Sequence, residues 1–169
     1  MSTCYIQDHP DTIPTLAHWF RAQWPDYYAG RRLDDVEGDF RMWLSRDRLP
    51  VGLVAFDAAE LVGAIVLRER ALETRPELQP GLGGLYVAAP HRGRGIGTEL
   101  VRAGMAAARA LGYEVVYTST EVAGRILGRL GWERTESVLH HGERLAVYRY
   151  VFESGATALA ENCTPQEEA

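Results

Sequence analysis

The chain has 169 residues and a mass of 18.8 kDa, 46% of them hydrophobic and 24% charged, which fits one soluble globular domain and excludes disordered and collagen-like chains. All 18 basic residues are arginine, so Schiff-base catalysis and a lysine-bearing phosphate loop are excluded, because both need the ammonium itself. Glu153, Glu161, Glu167 and Glu168 supply four of the 23 acidic residues after Phe152, leaving a nearly neutral body within the net charge of −5; such a body has no field for general nucleic-acid binding, and any basic cluster in it has a local purpose.

In chain order, the start Met1-Ser2-Thr3-Cys4 has neither a basic segment nor an apolar h-region, so the cytoplasm is the expected location. Residues 3–7 read as a first strand. Leu16, Trp19, Phe20 and Trp24 then recur at helical spacing after Asp11-Thr12-Ile13-Pro14, and a second helix is predicted over 33–43. Residues 51–56 and 61–68 are β-rich runs around Asp57-Ala58-Ala59-Glu60, the pattern of an antiparallel hairpin. The longest apolar run, 61–67, is far short of the roughly 20 residues of a membrane helix, so no membrane partner is expected. Pro76, Pro80 and Gly81 mark a loop.

Residues 84–88 read as a short buried strand, and 97–111 as a helix with Leu100, Val101, Gly104, Met105, Ala108 and Leu111 on one face. A strand over 115–118, a short helix over 123–130 stopped by Gly131, and a closing hairpin of 132–140 and 144–152 complete seven strands and four helices. His140 and His141, adjacent in a predicted strand, are expected on opposite faces and not as joint metal ligands. Cys4 and Cys163 have no metal-ligand spacing and are read as reduced and incidental, and no metal is expected. The domain is assigned to 1–152. The acidic segment 153–169 has Leu159 as its only large apolar group after residue 153 and reads as a loose tail.

The informative stretch is Leu85-Tyr86-Val87-Ala88-Ala89-Pro90-His91-Arg92-Gly93-Arg94-Gly95-Ile96-Gly97-Thr98. Glycines at a strand-to-helix turn let backbone N–H groups converge without Cβ obstruction, and the helix N-terminus favours an anion. Arg92 and Arg94 bring charge to the same turn, so a pyrophosphate cradle is the expected use. A dinucleotide G-x-G-x-x-G fingerprint fails, because its third glycine position, counted from Gly93 and Gly95, falls on Thr98.

The stretch does fit R-x-x-G-x-G at Arg92, Gly95 and Gly97, and it resembles the GCN5-related N-acetyltransferases (GNAT), which bind acetyl-CoA. The resemblance implies an α/β fold with a mixed, mainly antiparallel seven-stranded sheet, flanked by four helices and splayed between strands 4 and 5 where acetyl-CoA inserts. It also implies that the backbone of Leu85, Tyr86 and Val87 holds the pantetheine arm, with Val87 near the reacting oxygen, and that Arg92, Gly93, Arg94, Gly95, Ile96, Gly97 and Thr98 hold the pyrophosphate. Aligning on Gly131-Trp132 places Thr120 where many members have the asparagine that contacts the cofactor arm, and Leu127 where many have a tyrosine acting as general acid.

An amine acceptor of pKa ~10.4 needs roughly 4–5 kcal/mol to deprotonate near pH 7, so a base is expected. Glu69, Glu73 and Glu77 are candidates, with Glu69 favoured because a strand end is a firmer platform than a loop. Trp24, Tyr27 and Tyr28 follow the first helix's periodic stretch and are candidate acceptor contacts. The implied activity is direct acetyl transfer from acetyl-CoA to a primary amine of a small molecule, by a monomer or homodimer. The alternatives are an acyl-CoA-binding module without turnover, and an acetyltransferase for protein N-termini or lysines.

Overall fold

Apolar residues in the two longest β-rich runs find partners on both faces of a sheet. The computed structural model describes residues 1–154; the rest of the expected tail, with Cys163, lies outside the described residues. Seven strands, β1 (Ser2–Tyr5), β2 (Val51–Asp57), β3 (Glu60–Arg68), β4 (Gly81–Val87), β5 (Val115–Thr120), β6 (Glu133–His140) and β7 (Glu143–Val151), form one sheet in the order β1-β2-β3-β4-β5-β7-β6. Every pairing is antiparallel except β4 with β5. Four helices flank it: α1 (Ile13–Gln23), α2 (Leu33–Arg41), α3 (Ile96–Ala110) and α4 (Gly124–Arg129). Alternation sorts the side chains. Val51, Leu53 and Ala55 of β2 join Leu100, Val101, Ala107 and Ala108 of α3 in one core, whereas Val54 and Phe56 join Leu16, Ala17, Phe20, Val36 and Phe40 of α1 and α2 in the other.

β4 and β5 diverge almost at once. Their register holds one pair, Gly81 with Tyr117. The Tyr117 amide donates to the Pro80 carbonyl at 3.0 Å, and the buried Thr118 hydroxyl donates to the Leu82 carbonyl at 2.7 Å. Past Leu82 the two strands share no register, which is the splay expected between strands 4 and 5. A loop over 69–80 crosses from β3 and packs Ala71, Leu72 and Leu78 against Val147 of β7, tying the halves on the α1–α2 side.

Several boundaries differ from expectation. β1 ends at Tyr5, because Ile6–Asp8 winds into a 3-10 turn. β4 begins at Gly81, inside the expected loop: pairing of Arg68, Leu67 and Val66 with Gly81, Leu82 and Gly83 supplies the ladder that low β-propensity withholds. His141 sits in the β6–β7 turn with φ 48°, so its ring meets that of His140 at 4.2 Å instead of facing the other way. Cys4 is buried in the α1–α2 core. Among the described residues no helix is long and apolar enough to cross a membrane, and no group of three or more metal-ligating side chains is assembled.

Candidate active site

The site lies where the β3–β4 ladder continues and the β4–β5 ladder has ended. The Ala88 amide donates to the Val62 carbonyl at 2.8 Å. The adjacent pair, Gly63 with Val87, is therefore a non-hydrogen-bonded one, and the Val87 amide and carbonyl point away from β3 into the split. Arg92 uses that carbonyl, its Nε donating at 2.9 Å. Between the pairs Ala64–Tyr86 and Val66–Gly83, Gly84 and Leu85 oppose Ile65 alone, a bulge that re-aims the strand. Leu85, Tyr86 and Val87 remain half-buried although their strand is central, since β5 does not cover them.

Beyond β4 the chain turns through Gly93 (φ 76°) and Gly95 (φ 83°), backbone states that only glycine adopts without strain. A Cβ built at either would meet no atom within 4 Å. Gly95 is the N-cap of α3 and no side chain caps the helix; the Glu99 amide donates to Gly95 at 3.1 Å, so the amides of Ile96, Gly97 and Thr98 have no partner within the helix. Open space, orphan donors and the positive end of a 15-residue helix make a receptacle for an anion. Gly97 differs from the other two: a Cβ there would lie 3.2 Å from Ile126 Cδ1, marking where α3 meets α4.

Arg94 turns from this receptacle toward the β2–β3 turn, donating to Asp57 Oδ2 at 2.8 Å and to His91 Nδ1 at 3.0 Å. A guanidinium only donates, so His91 accepts at Nδ1 and carries its proton on Nε2, 3.2 Å from Glu60 Oε1. Thr120 Oγ1 accepts from the amides of Val122 (3.1 Å) and Ala123 (3.0 Å), capping the turn into α4 and leaving its own proton to donate. Leu127 is buried beside Trp132 in the α3 core, so a reacting group at that position would have to displace core packing.

Glu69 is exposed directly after β3 and its side chain has no hydrogen bond or ion pair among the described residues. Glu73 is also exposed. Glu77 is committed elsewhere: the Arg75 hydrogen bond holds its carboxyl below the usual carboxylate range, and Arg75 also grips Glu136 of β6 at 2.9 and 3.2 Å. Trp24, at the end of α1, is half-buried with its ring 4.9 Å from Phe20. Tyr27 is exposed and sits edge-on to the buried Tyr28 at 4.8 Å. Burial, with Tyr27 and Asp39 nearby, pushes the Tyr28 phenol up to about 12, so at neutral pH it is an O–H donor.

The family model described as the acetyltransferase (GNAT) family matches residues 13–132. The chain belongs to this family. As an acetyltransferase it has many structural neighbours, and three of them, each distant enough in sequence to show the fold alone, illustrate the likeness. An aminoglycoside 6'-N-acetyltransferase complexed with coenzyme A superposes with a TM-score of 0.70 at 17% identity, covering 93% of this chain and 100% of that one. A ribosomal-protein-alanine N-acetyltransferase from Brucella melitensis gives 0.70 at 19% identity, covering 90% and 100%. A spermidine N-acetyltransferase chimera from Vibrio cholerae gives 0.67 at 15% identity, covering 89% and 96%. No curated protein sequence matches this chain significantly.

Three features of the acetyltransferase site escaped sequence reasoning. The link from Thr118 to Leu82 joins strands that are distant along the chain. The Asp57–Arg94–His91–Glu60 chain links a hairpin turn to the glycine turn. Trp19, on the apolar spacing of α1, packs half-buried against its core and stacks on Tyr86 at 5.1 Å and 27°. Only the second had a signal, an acidic hairpin turn and two arginines, Arg92 and Arg94, at the glycine turn.

Proposed function

We propose that this acetyltransferase moves an acetyl group from acetyl-CoA to a primary amine of a small molecule. The observation that carries the reading is the uncapped N-terminus of α3 behind an unobstructed glycine turn, set next to the outward backbone of Val87 at the split. These donors suit a pyrophosphate: the amides of residues 93–98 would hold it, with Arg92 and Arg94 adding charge on release from their protein partners. The β4 backbone over Leu85, Tyr86 and Val87, with the Val87 amide and carbonyl outward, would hold the pantetheine arm, and the free Thr120 proton would be a further donor. Acetyl-CoA supplies the acetyl group already activated as a thioester.

The remaining work falls to this chain's side chains and backbone. The Val87 amide points into the split and donates to the carbonyl oxygen as charge grows on it. Glu69, at the end of β3 and free of ion pairs among the described residues, takes a proton from the ammonium form of the acceptor, directly or through water. Trp24, Tyr27 and Tyr28 form the wall against which the acceptor packs. The test is CoA release from acetyl-CoA across a panel of amines, with mass-spectrometric identification of the product. Acetyl-CoA-dependent N-acetylation is the expected result; binding of acetyl-CoA without turnover of any amine would overturn it.

A further inference from the structure

Arg68 ends β3 on the same face as Val66, whose side chain meets the α1 side of the sheet beside Phe20 at Gly84. Its guanidinium lies over Gly83: a Cβ there would come within 2.6 Å of Nη2, 3.0 Å of Cζ and 3.2 Å of Nε. The side chain thus runs along β4 from Gly81, its pairing partner, toward the split. Gly83 leaves it room. Arg68 is exposed and its side chain makes no hydrogen bond or ion pair among the described residues, although acidic side chains neutralise Arg31, Arg75 and Arg94 elsewhere in the same molecule.

A second donor lies on the same side of the sheet. Tyr28 packs into the α1–α2 core with Phe20, the ring that meets Val66 at Gly84, and the Arg68 charge acts weakly on its phenol. The Tyr28 hydroxyl makes no hydrogen bond among the described residues, yet no buried side-chain polar atom there lacks a partner, so its oxygen reaches the surface. A guanidinium and a phenol O–H presented together suit an anion that can accept from both. From Gly83 to Leu85–Val87 is two to four residues, on the order of 7–13 Å along an extended strand. That span holds a reacting amine and an anionic group a few bonds away.

We infer that Arg68, with Tyr28, recognises an anionic group on the acceptor, so that the substrate is an amine that also carries a carboxylate or a phosphate. This inference rests on the proposed N-acetyltransferase reading. Cationic acceptors would place a second ammonium against the guanidinium and are disfavoured.

The experiment compares matched acceptors: amino acids against their amides, O-phosphoethanolamine against ethanolamine, and spermidine as a cationic control. The wild type is expected to prefer one anionic series over its neutral counterpart by roughly 10- to 100-fold in kcat/KM, the worth of a charge-assisted hydrogen bond; which series shows it tells carboxylate from phosphate. Arg68→Gln should erase that preference through KM, Arg68→Lys should keep part of it, and the acetyl-CoA dissociation constant should not move. Equal or better turnover of neutral amines or spermidine, or a preference that survives Arg68→Gln, overturns the inference and leaves the acetyltransferase reading intact. Failure to release CoA with every amine overturns both.

Discussion

Gly95 and Glu69 carry opposite kinds of information, one about a backbone state that only glycine adopts without strain and the other about a charge with no partner among the described residues. At Gly95 the backbone is left-handed and the space above it is open. Gly95→Glu places a carboxylate over the orphan amides of α3 and is expected to abolish acetyl-CoA binding in calorimetry. The positive φ adds about 1–2 kcal/mol of backbone strain, so Gly95→Ala, which carries the strain without the charge, is the folding control. If Gly95→Glu is folded and binds as tightly as the wild type, the anion site is elsewhere. Glu69→Gln should lower kcat/KM most near neutral pH and progressively less at alkaline pH, where free amine is supplied by solvent. A pH-independent loss would assign Glu69 to structure and move the search to Glu73, since Glu77 is held ionised by Arg75 and makes a weak base.

Among the elements, α4 shows how a family pattern and a local fold can disagree. Leu127 occupies the position aligned with the tyrosine general acid of many GNAT members, but it is buried with Trp132 and Leu100. A thiol of pKa about 8.5 leaves with an unfavourable protonation term of only roughly 2 kcal/mol at pH 7, so the wild type is expected to be active without that acid. Leu127→Tyr should overpack the core and destabilise the protein by about 1–3 kcal/mol, seen as a lower denaturant midpoint, with no gain in kcat. A variant that turns over where the wild type is silent would instead mark the natural chain as a binding module. The same element scale shows what could be read from residues alone. Period-two and period-3.6 patterns located all seven strands and four helices, and the glycine turn announced α3, because these signals are local. The β4 start at Gly81 and the 3-10 turn after Tyr5 were not legible, since both depend on partners remote in sequence. Arg68 was equally invisible as a recognition group, its meaning resting on a glycine in the neighbouring strand.

At the scale of the molecule, the two parts of the sheet are held together by few direct links. β1–β4 share cores with α1, α2 and α3, while β5–β7–β6 joins them through one β4–β5 pair, the Thr118–Leu82 hydrogen bond, the α3 core and the 69–80 loop clamped by Arg75 to Glu136. A ligand seated in the split touches both parts, and anything that binds the folded but not the unfolded chain stabilises it by mass action. At a free acetyl-CoA concentration about a hundredfold above its dissociation constant, the gain is about 2.7 kcal/mol. For a chain of this size each kcal/mol moves Tm by about 2–4 °C, so a rise of about 5–10 °C is expected, growing with the logarithm of concentration. Gly95→Glu should show none of it. Acetyl-CoA has two ends that separate the contributions: if the glycine turn carries the binding, CoA without the acetyl group should shift Tm nearly as far, whereas pantetheine, which lacks the pyrophosphate, should shift it little at the same concentration. A pantetheine shift equal to that of CoA would place the affinity in the β4 backbone and remove the α3 N-terminus from the binding account.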